Sequence, residues 1–185
     1  MNFKFGLPQV PNHKSEKEND WHPFGSVNQK KIFFYGLLLG VVLTLCFDFF
    51  IKNFTLCSHF EFKVFNKFYL IFLILFLHEF FHAIFYPNFA NLNIGFSLKK
   101  GILYVSSPDS ISKKRMLIIG ISPFLFLTLI PIILLFYTNN EYLAYIALYN
   151  TIGSGIDLIV FFKILNKPKN MIFKDVGFEL FYKQN

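Results

Sequence analysis

The chain has 185 residues, room for one domain, and its side chains are 54% hydrophobic, 21% aromatic and only 16% charged, with 28 Phe. That charged share lies well below the roughly 25% of soluble domains, and the apolar residues fall in long blocks, which excludes an ordinary soluble globule. The net charge of +7 would suit nucleic acid, but the lysines gather at the ends of the apolar blocks, which argues against that partner and for a lipid bilayer.

Residues 1–29 are polar, with Pro8, Pro11 and Pro23 and the mixed charges of "HKSEKEND". This composition predicts a flexible cytoplasmic tail, followed by a membrane-embedded domain over 30–185. The first apolar block, Ile32 to Ile51, is interrupted by Thr44 and Asp48. It starts too far along the chain, and is too long, for a cleaved signal peptide. Cys46 and Cys57 form no CxxC pair and predict neither a disulfide nor a metal role.

The second block, Phe68 to Tyr86, contains "LHEFFHAIFYP". The third, Met116 to Tyr137, holds Pro123 and Pro131, and the fourth, Tyr142 to Leu165, holds Asn150, Asp157 and Lys163. Each block is roughly 19–24 residues long and about 20 suffice for a spanning helix. The expected architecture is an all-α membrane protein of four transmembrane helices, about 32–51, 68–86, 116–137 and 142–165. Lys30 and Lys31, the 99–115 cluster and Lys167, Lys169 and Lys174 lie on one side of these spans. The positive-inside rule then predicts a multi-pass protein of the cell membrane with both termini cytoplasmic.

Between the second and third blocks, Ile94, Phe96 and Leu98 alternate with polar or small residues. Lys100 and Gly101 supply a turn, and Ile102 to Val105 form a second β-prone run. This predicts a β-hairpin over about 94–105. Near the C-terminus Phe178, Leu180 and Tyr182 alternate, as in a short strand or a segment lying on the membrane surface.

The chemistry sits in the second block. In a helix His78 and His82, at i and i+4, share a face and can point at one ion. Glu79 lies on the adjoining edge of the same turn. This is the H-E-x-x-H arrangement, in which two imidazoles ligate Zn2+ and the glutamate acts as general base on the zinc-bound water. Ionisable groups inside a membrane helix cost on the order of 2.5–3.5 kcal/mol each, so three within five residues need a compensating partner, and a cation is one. A catalytic zinc takes three protein ligands. Asp157 is the best third: it lies deep in the fourth block, on the cytoplasmic side, beside Gly153, Ser154 and Gly155, which allow close helix approach. Asp48 and Glu141 fall on the opposite side, while Asp175 and Glu179 stay open if the C-terminal segment folds back. Asn150, two turns before Asp157, is expected to orient substrate or a ligand, or to bond between helices.

"HEFFH" in a membrane helix, a proline five residues on, a hairpin, "KKRMLIIGISP" and a late "NTIGSGID" resemble the bacterial putative zincin membrane peptidases, a family of the domain-of-unknown-function type with a likeness to site-2 protease intramembrane metalloproteases. The resemblance spans about residues 60–182. It implies His78, His82 and Asp157 as zinc ligands and Glu79 as catalytic base. In site-2 proteases the third ligand stands in Leu-Asp-Gly, whereas here it stands in Ile156-Asp157-Leu158. It also implies that the hairpin, through Ile94, Phe96 and Leu98, holds a membrane-protein or peptide substrate as an added strand. The expected function is therefore a zinc-dependent intramembrane peptidase. A transport or ion-pathway protein, or a non-catalytic scaffold with structural zinc, are the alternatives; a transit site would use Glu79 as a ligand and a peptidase needs it free.

Overall fold

Four helices carry the apolar blocks. Helix α1 covers Gln29–Phe54, α2 Tyr69–Ile84, α3 Lys113–Leu134 and α4 Glu141–Leu165. The computed structural model describes residues 2–5, 21–24, 29–63, 65, 67–97, 102–177 and 179–184. Helices α1 from Lys31, α3 and α4 are long and apolar enough to cross a membrane. Helix α2 is apolar but has 16 residues, about 24 Å at 1.5 Å per residue. The expected second span of full length is thus corrected to a shorter helix. It ends at Ile84 rather than near Pro87, which brings His82 to within two residues of the helix end.

The expected hairpin is present but belongs to a larger sheet, which corrects the all-α expectation to a mainly helical fold with a sheet at one end. Strands β3 (Asn93–Ser97) and β4 (Ile102–Ser112) pair antiparallel, with Ile94 opposite Val105 and Gly95 opposite Tyr104. Of the C-terminal alternation, Leu180 and Tyr182 lie in β6 (Leu180–Gln184) and Phe178 lies outside the described residues; β5 (Met171–Asp175) precedes it. Two short strands come from the segment expected to be a tail: β1 (Asn2–Phe5) and β2 (His22–Pro23). The rest of that tail, 6–20 and 25–28, lies outside the described residues, as does the hairpin turn at 98–101. The strand order is β1-β3-β4-β5-β6-β2, with β1 parallel to β3 and the other pairs antiparallel. The chain's own N-terminal strands therefore form both outer edges of the sheet.

Three local devices orient the helices. Glycines let α1 and α4 touch backbone to backbone: a Cβ on Gly155 would collide with the Gly36 carbonyl oxygen and lie 2.7 Å from the Gly40 nitrogen. The start of α3 caps the ends of two other helices. Ser112 Oγ accepts from Arg115 N–H, Lys113 Nζ donates to Leu165 O at 2.8 Å, and Arg115 donates from Nε to Phe85 O at 2.8 Å and from Nη2 to Tyr86 O at 3.3 Å. Cations at helix C-termini satisfy carbonyls that no amide reaches. Lys113 and Arg115 thus tie down the ends of α4 and α2. The third device is a break in α3: Pro123 lies inside it, and residues Leu125–Leu129 make a π-turn before the helix resumes at Ile130.

Buried residues form two cores. Far from the sheet, Ile51, Cys57, Phe60, Leu70, Ile74, Leu135, Tyr145 and Leu148 pack together. At the sheet, Ala83, Tyr86, Leu92, Val105, Met116, Ile119, Ile164 and Phe173 form the second. The last turns of α2 meet the middle of α4 between them.

Candidate metal centre

His78 and His82 lie one turn apart on α2 and their rings meet edge to face, with centroids 4.9 Å apart. Each ring is anchored through Nδ1. His78 Nδ1 lies 2.9 Å from Asn150 Oδ1, and His82 Nδ1 lies 2.7 Å from the Ile119 carbonyl oxygen. The Ile119 carbonyl can only accept, so His82 Nδ1 is a donor. Asn150 is oriented by its amide nitrogen, which lies 3.0 Å from Pro123 O, 3.0 Å from Thr128 Oγ1 and 3.1 Å from Ser154 Oγ. Its oxygen therefore faces His78, and His78 Nδ1 is a donor as well.

The sequence explains why Ile119 offers an oxygen. In a helix that carbonyl bonds to the amide four residues on, which here is Pro123, and proline has no N–H. The freed oxygen receives His82, and the Ser122 hydroxyl, 2.9 Å from Ile119 O and 3.0 Å from Phe81 O, bridges it to α2. The π-turn just after Pro123 shifts the helical register, and the Pro123 carbonyl accepts from Asn150. One proline thus helps orient both rings. Sequence reasoning marked Pro123 only as an interruption; a proline four residues after a carbonyl is the signal that could have found this role.

With both Nδ1 atoms donating, both Nε2 atoms face Asp157. His78 Nε2 is 3.0 Å and His82 Nε2 3.7 Å from Asp157 Oδ2. One ligand atom from each of His78, His82 and Asp157 lies within 4.8 Å of the other two. In neutral imidazoles of this tautomer each Nε2 carries a lone pair, so two lone pairs converge on a carboxylate oxygen. That arrangement repels unless a cation or protons lie between them. Nitrogen and oxygen ligands of a tetrahedral zinc stand about 3.3 Å apart, and the two separations bracket that value. The three residues can hold a divalent metal, with Asn150 and Ile119 as the outer partners that ligating histidines require.

Glu79 stands apart from this set. Its Oε2 accepts a hydrogen bond from the backbone N–H of Val105 on β4, at 3.1 Å. The rival carboxylates are spent elsewhere. Asp48 pairs with Lys52 at 2.7 Å along α1, and Glu141 pairs with Lys67 at 2.9 Å. Asp175 does fold back with the sheet, yet it accepts from the Tyr86 hydroxyl and from Gly177 N–H at 2.8 Å rather than joining the histidines. Burial pushes the Asp175 carboxyl up to about 6, with those hydrogen bonds pulling the other way. Ile94 and Phe96 lie on β3, whose two edges are taken by β1 and β4, and the Ile94 side chain packs onto the sheet-side core. Leu98 lies outside the described residues. The Val105 amide left no signal in the sequence, because a backbone group acts there and any side chain could stand at that position.

A family model described as "Putative zincin peptidase" matches residues 71–172, a span that includes His78, Glu79, His82, Val105, Ile119, Asn150 and Asp157. No curated protein and no solved structure matches the chain.

Proposed function

The chain belongs to the putative zincin peptidase family, and from that premise we propose that it is a zinc-dependent intramembrane peptidase acting on membrane-protein substrates near the cytoplasmic boundary. The observation that carries this reading is the tautomer argument. Two histidines with committed Nδ1 donors turn their Nε2 lone pairs onto one Asp157 oxygen, and a zinc ion relieves that repulsion and accepts all three groups.

His78, His82 and Asp157 would hold the metal, which supplies Lewis acidity: a lowered pKa for water and polarisation of the scissile carbonyl. Glu79 lies one residue along α2 from His78 and outside the ligand set, so it is available as the base. It takes a proton from the attacking water on a carboxylate oxygen and delivers it to the departing amine. Asn150 and the Ile119 carbonyl fix the two rings. A transit site that used Glu79 as a ligand is disfavoured by the Val105 bond, which turns a Glu79 oxygen towards the sheet. The substrate runs along the hairpin as an added strand. Because β1 and β4 occupy both edges of β3, the edge left for it is on β4. The positions of the lysines support cytoplasmic termini and a cytoplasmic sheet.

Glu79→Gln is the deciding variant. It should keep zinc and fold while cleavage falls by about 10²–10⁴, the usual weight of a general base, read as accumulation of uncut membrane-protein fragments by comparative proteomics. Loss of zinc in Glu79→Gln would instead favour a transit site, and unchanged fragments in a zinc-loaded variant would count against a peptidase.

A further inference from the structure

Strand β4 has partners along most of its length, and the gap between them lies at Glu79. On one side β3 runs beside Ile102–Ser106. On the other, β5 begins to pair only at Ser107, opposite Asp175, and continues to Ser112. At Leu103 and Val105, among the described residues, no strand lies on the β5 side. The N–H and C=O of one residue point to the same edge of a strand, and alternate residues to opposite edges. Val105 N–H bonds Glu79, so the backbone groups of Val105 and of Leu103 face this open stretch, while Tyr104 turns towards β3.

An open strand edge is a template for another chain. Strands β1 and β2 form the two outer edges of this sheet, whereas this open stretch is an inner one, beside the residue proposed as base. A carboxylate oxygen on Val105 N–H occupies the position that the carbonyl of an added strand would take.

Resting on the peptidase reading above, we propose that the substrate adds as a strand to β4 at Leu103 and Val105, and that its carbonyl displaces Glu79 from Val105 N–H, so that binding an extended chain is what frees the base. Before substrate arrives Glu79 is tethered, and its second oxygen has no role in the exchange. After strand addition both oxygens are available at the metal side. The exchange replaces one acceptor on Val105 N–H by another, so no buried donor is left without a partner at any stage. It also selects for substrate: a helical segment has its carbonyls engaged internally and cannot make the replacement, whereas an unwound one can.

The probe for this exchange is a hydroxamate-capped extended tripeptide, whose hydroxamate seeks zinc and whose backbone lies where a strand would add. Zinc-loaded protein labelled with 15N-valine and 13C-carboxyl glutamate is titrated in detergent micelles. The Val105 amide signal is identified by its loss in Val105→Ile, and the Glu79 carboxyl signal by its loss in Glu79→Gln. Both signals should move with one midpoint, and the Val105 amide should stay protected from exchange throughout. In Glu79→Ala without probe, the amide should exchange faster, and the probe should restore its protection. A probe that binds the zinc-loaded protein but leaves the Val105 amide or the Glu79 carboxyl signal unmoved overturns the exchange and leaves the metal site standing. A probe that binds no better with zinc than without it, or equally to His82→Ala, overturns the metal reading and the exchange with it.

Discussion

The two halves of α4 pack by different rules. Before Asn150, the buried residues Ala144, Tyr145, Ala147, Leu148 and Tyr149 sit in an apolar core with Ile51, Phe60, Leu70, Ile74 and Leu135. Ring–ring packing dominates there, as between Phe60 and Tyr145 at 5.0 Å and Phe62 and Tyr149 at 5.5 Å, and the Tyr145 hydroxyl donates to Glu61 O at 3.4 Å. From Asn150 to Asp157 the buried side chains Asn150, Thr151 and Ser154 are polar, and each has a named partner. Thr151 Oγ1 bonds Ala147 O and Thr128 Oγ1, and Ser154 Oγ accepts from Asn150. The first half tolerates exchange of shape for shape. The second does not, because removing one group strands its neighbours. The difference separates what holds the bundle together from what holds the rings in place.

The largest expected effect tests whether these halves are separable. Asp157→Ala removes one of three converging ligands, and its zinc affinity should fall well beyond the roughly 10–100-fold that loss of an outer partner costs. Zinc per chain, measured on purified protein at matched expression, should drop to background. Full retention would remove Asp157 from the set. Leu148→Ala, one helical face away and fully buried, should cost about 2–5 kcal/mol of stability for the cavity it leaves, yet still load zinc once folded. If it lost the metal as completely as Asp157→Ala, the separation of the two halves would be wrong.

A smaller effect sharpens the comparison inside the polar half. Asn150→Leu keeps bulk but takes the acceptor from His78 Nδ1 and a donor from the Pro123 carbonyl and Thr128. Zinc affinity should fall by about 10–100-fold, measured by competition with a chelator. An unchanged affinity would mean that His78 needs no orienting partner.

What the sequence made legible follows the same division. The apolar runs announce helices, because a run of about 20 residues has few other uses, and the i, i+4 spacing of His78 and His82 announces a shared face. The helix ends were not legible. The end of α2 is set by Arg115, and the start of α3 by the Ser112 cap, and both involve residues outside the apolar pattern. The hairpin and a short C-terminal strand were read separately and their union in one sheet was not legible, because β5 meets β4 only across the intervening helices, while β1 pairs with a strand some ninety residues on, Asn2 opposite Asn93. The depth argument set Asp157 at the level of the histidines, and the side chains meet there, His78 Nε2 3.0 Å from Asp157 Oδ2. Of the groups that orient this site, Asn150 was named from the sequence, whereas Ile119 acts through its carbonyl and Val105 through its amide.

The smallest effect lies at the sheet, where Asp175 gives the polar side a pH dependence that the apolar core lacks. An unfolded aspartate titrates near 3.9, and burial raises the folded carboxyl to about 6. The folded state therefore holds a proton between about pH 4 and 6 that the unfolded state has released. By linkage, stability falls as pH rises across that window: the contribution is complete below about 4 and gone above about 6. Each unit is worth about 1.4 kcal/mol, and partial solvent access at this strand end leaves an expected change of about 1–2 kcal/mol. Asp175→Asn cannot ionise but keeps one acceptor for the Tyr86 hydroxyl or the Gly177 amide. Thermal midpoints of wild type and variant, measured in detergent at pH 4.5 and pH 8, isolate this group, because every other ionisable group is common to both. Relative to Asp175→Asn, wild type should lose stability on going to pH 8. A difference of opposite sign would mean that the Tyr86 and Gly177 bonds outweigh burial and hold Asp175 ionised.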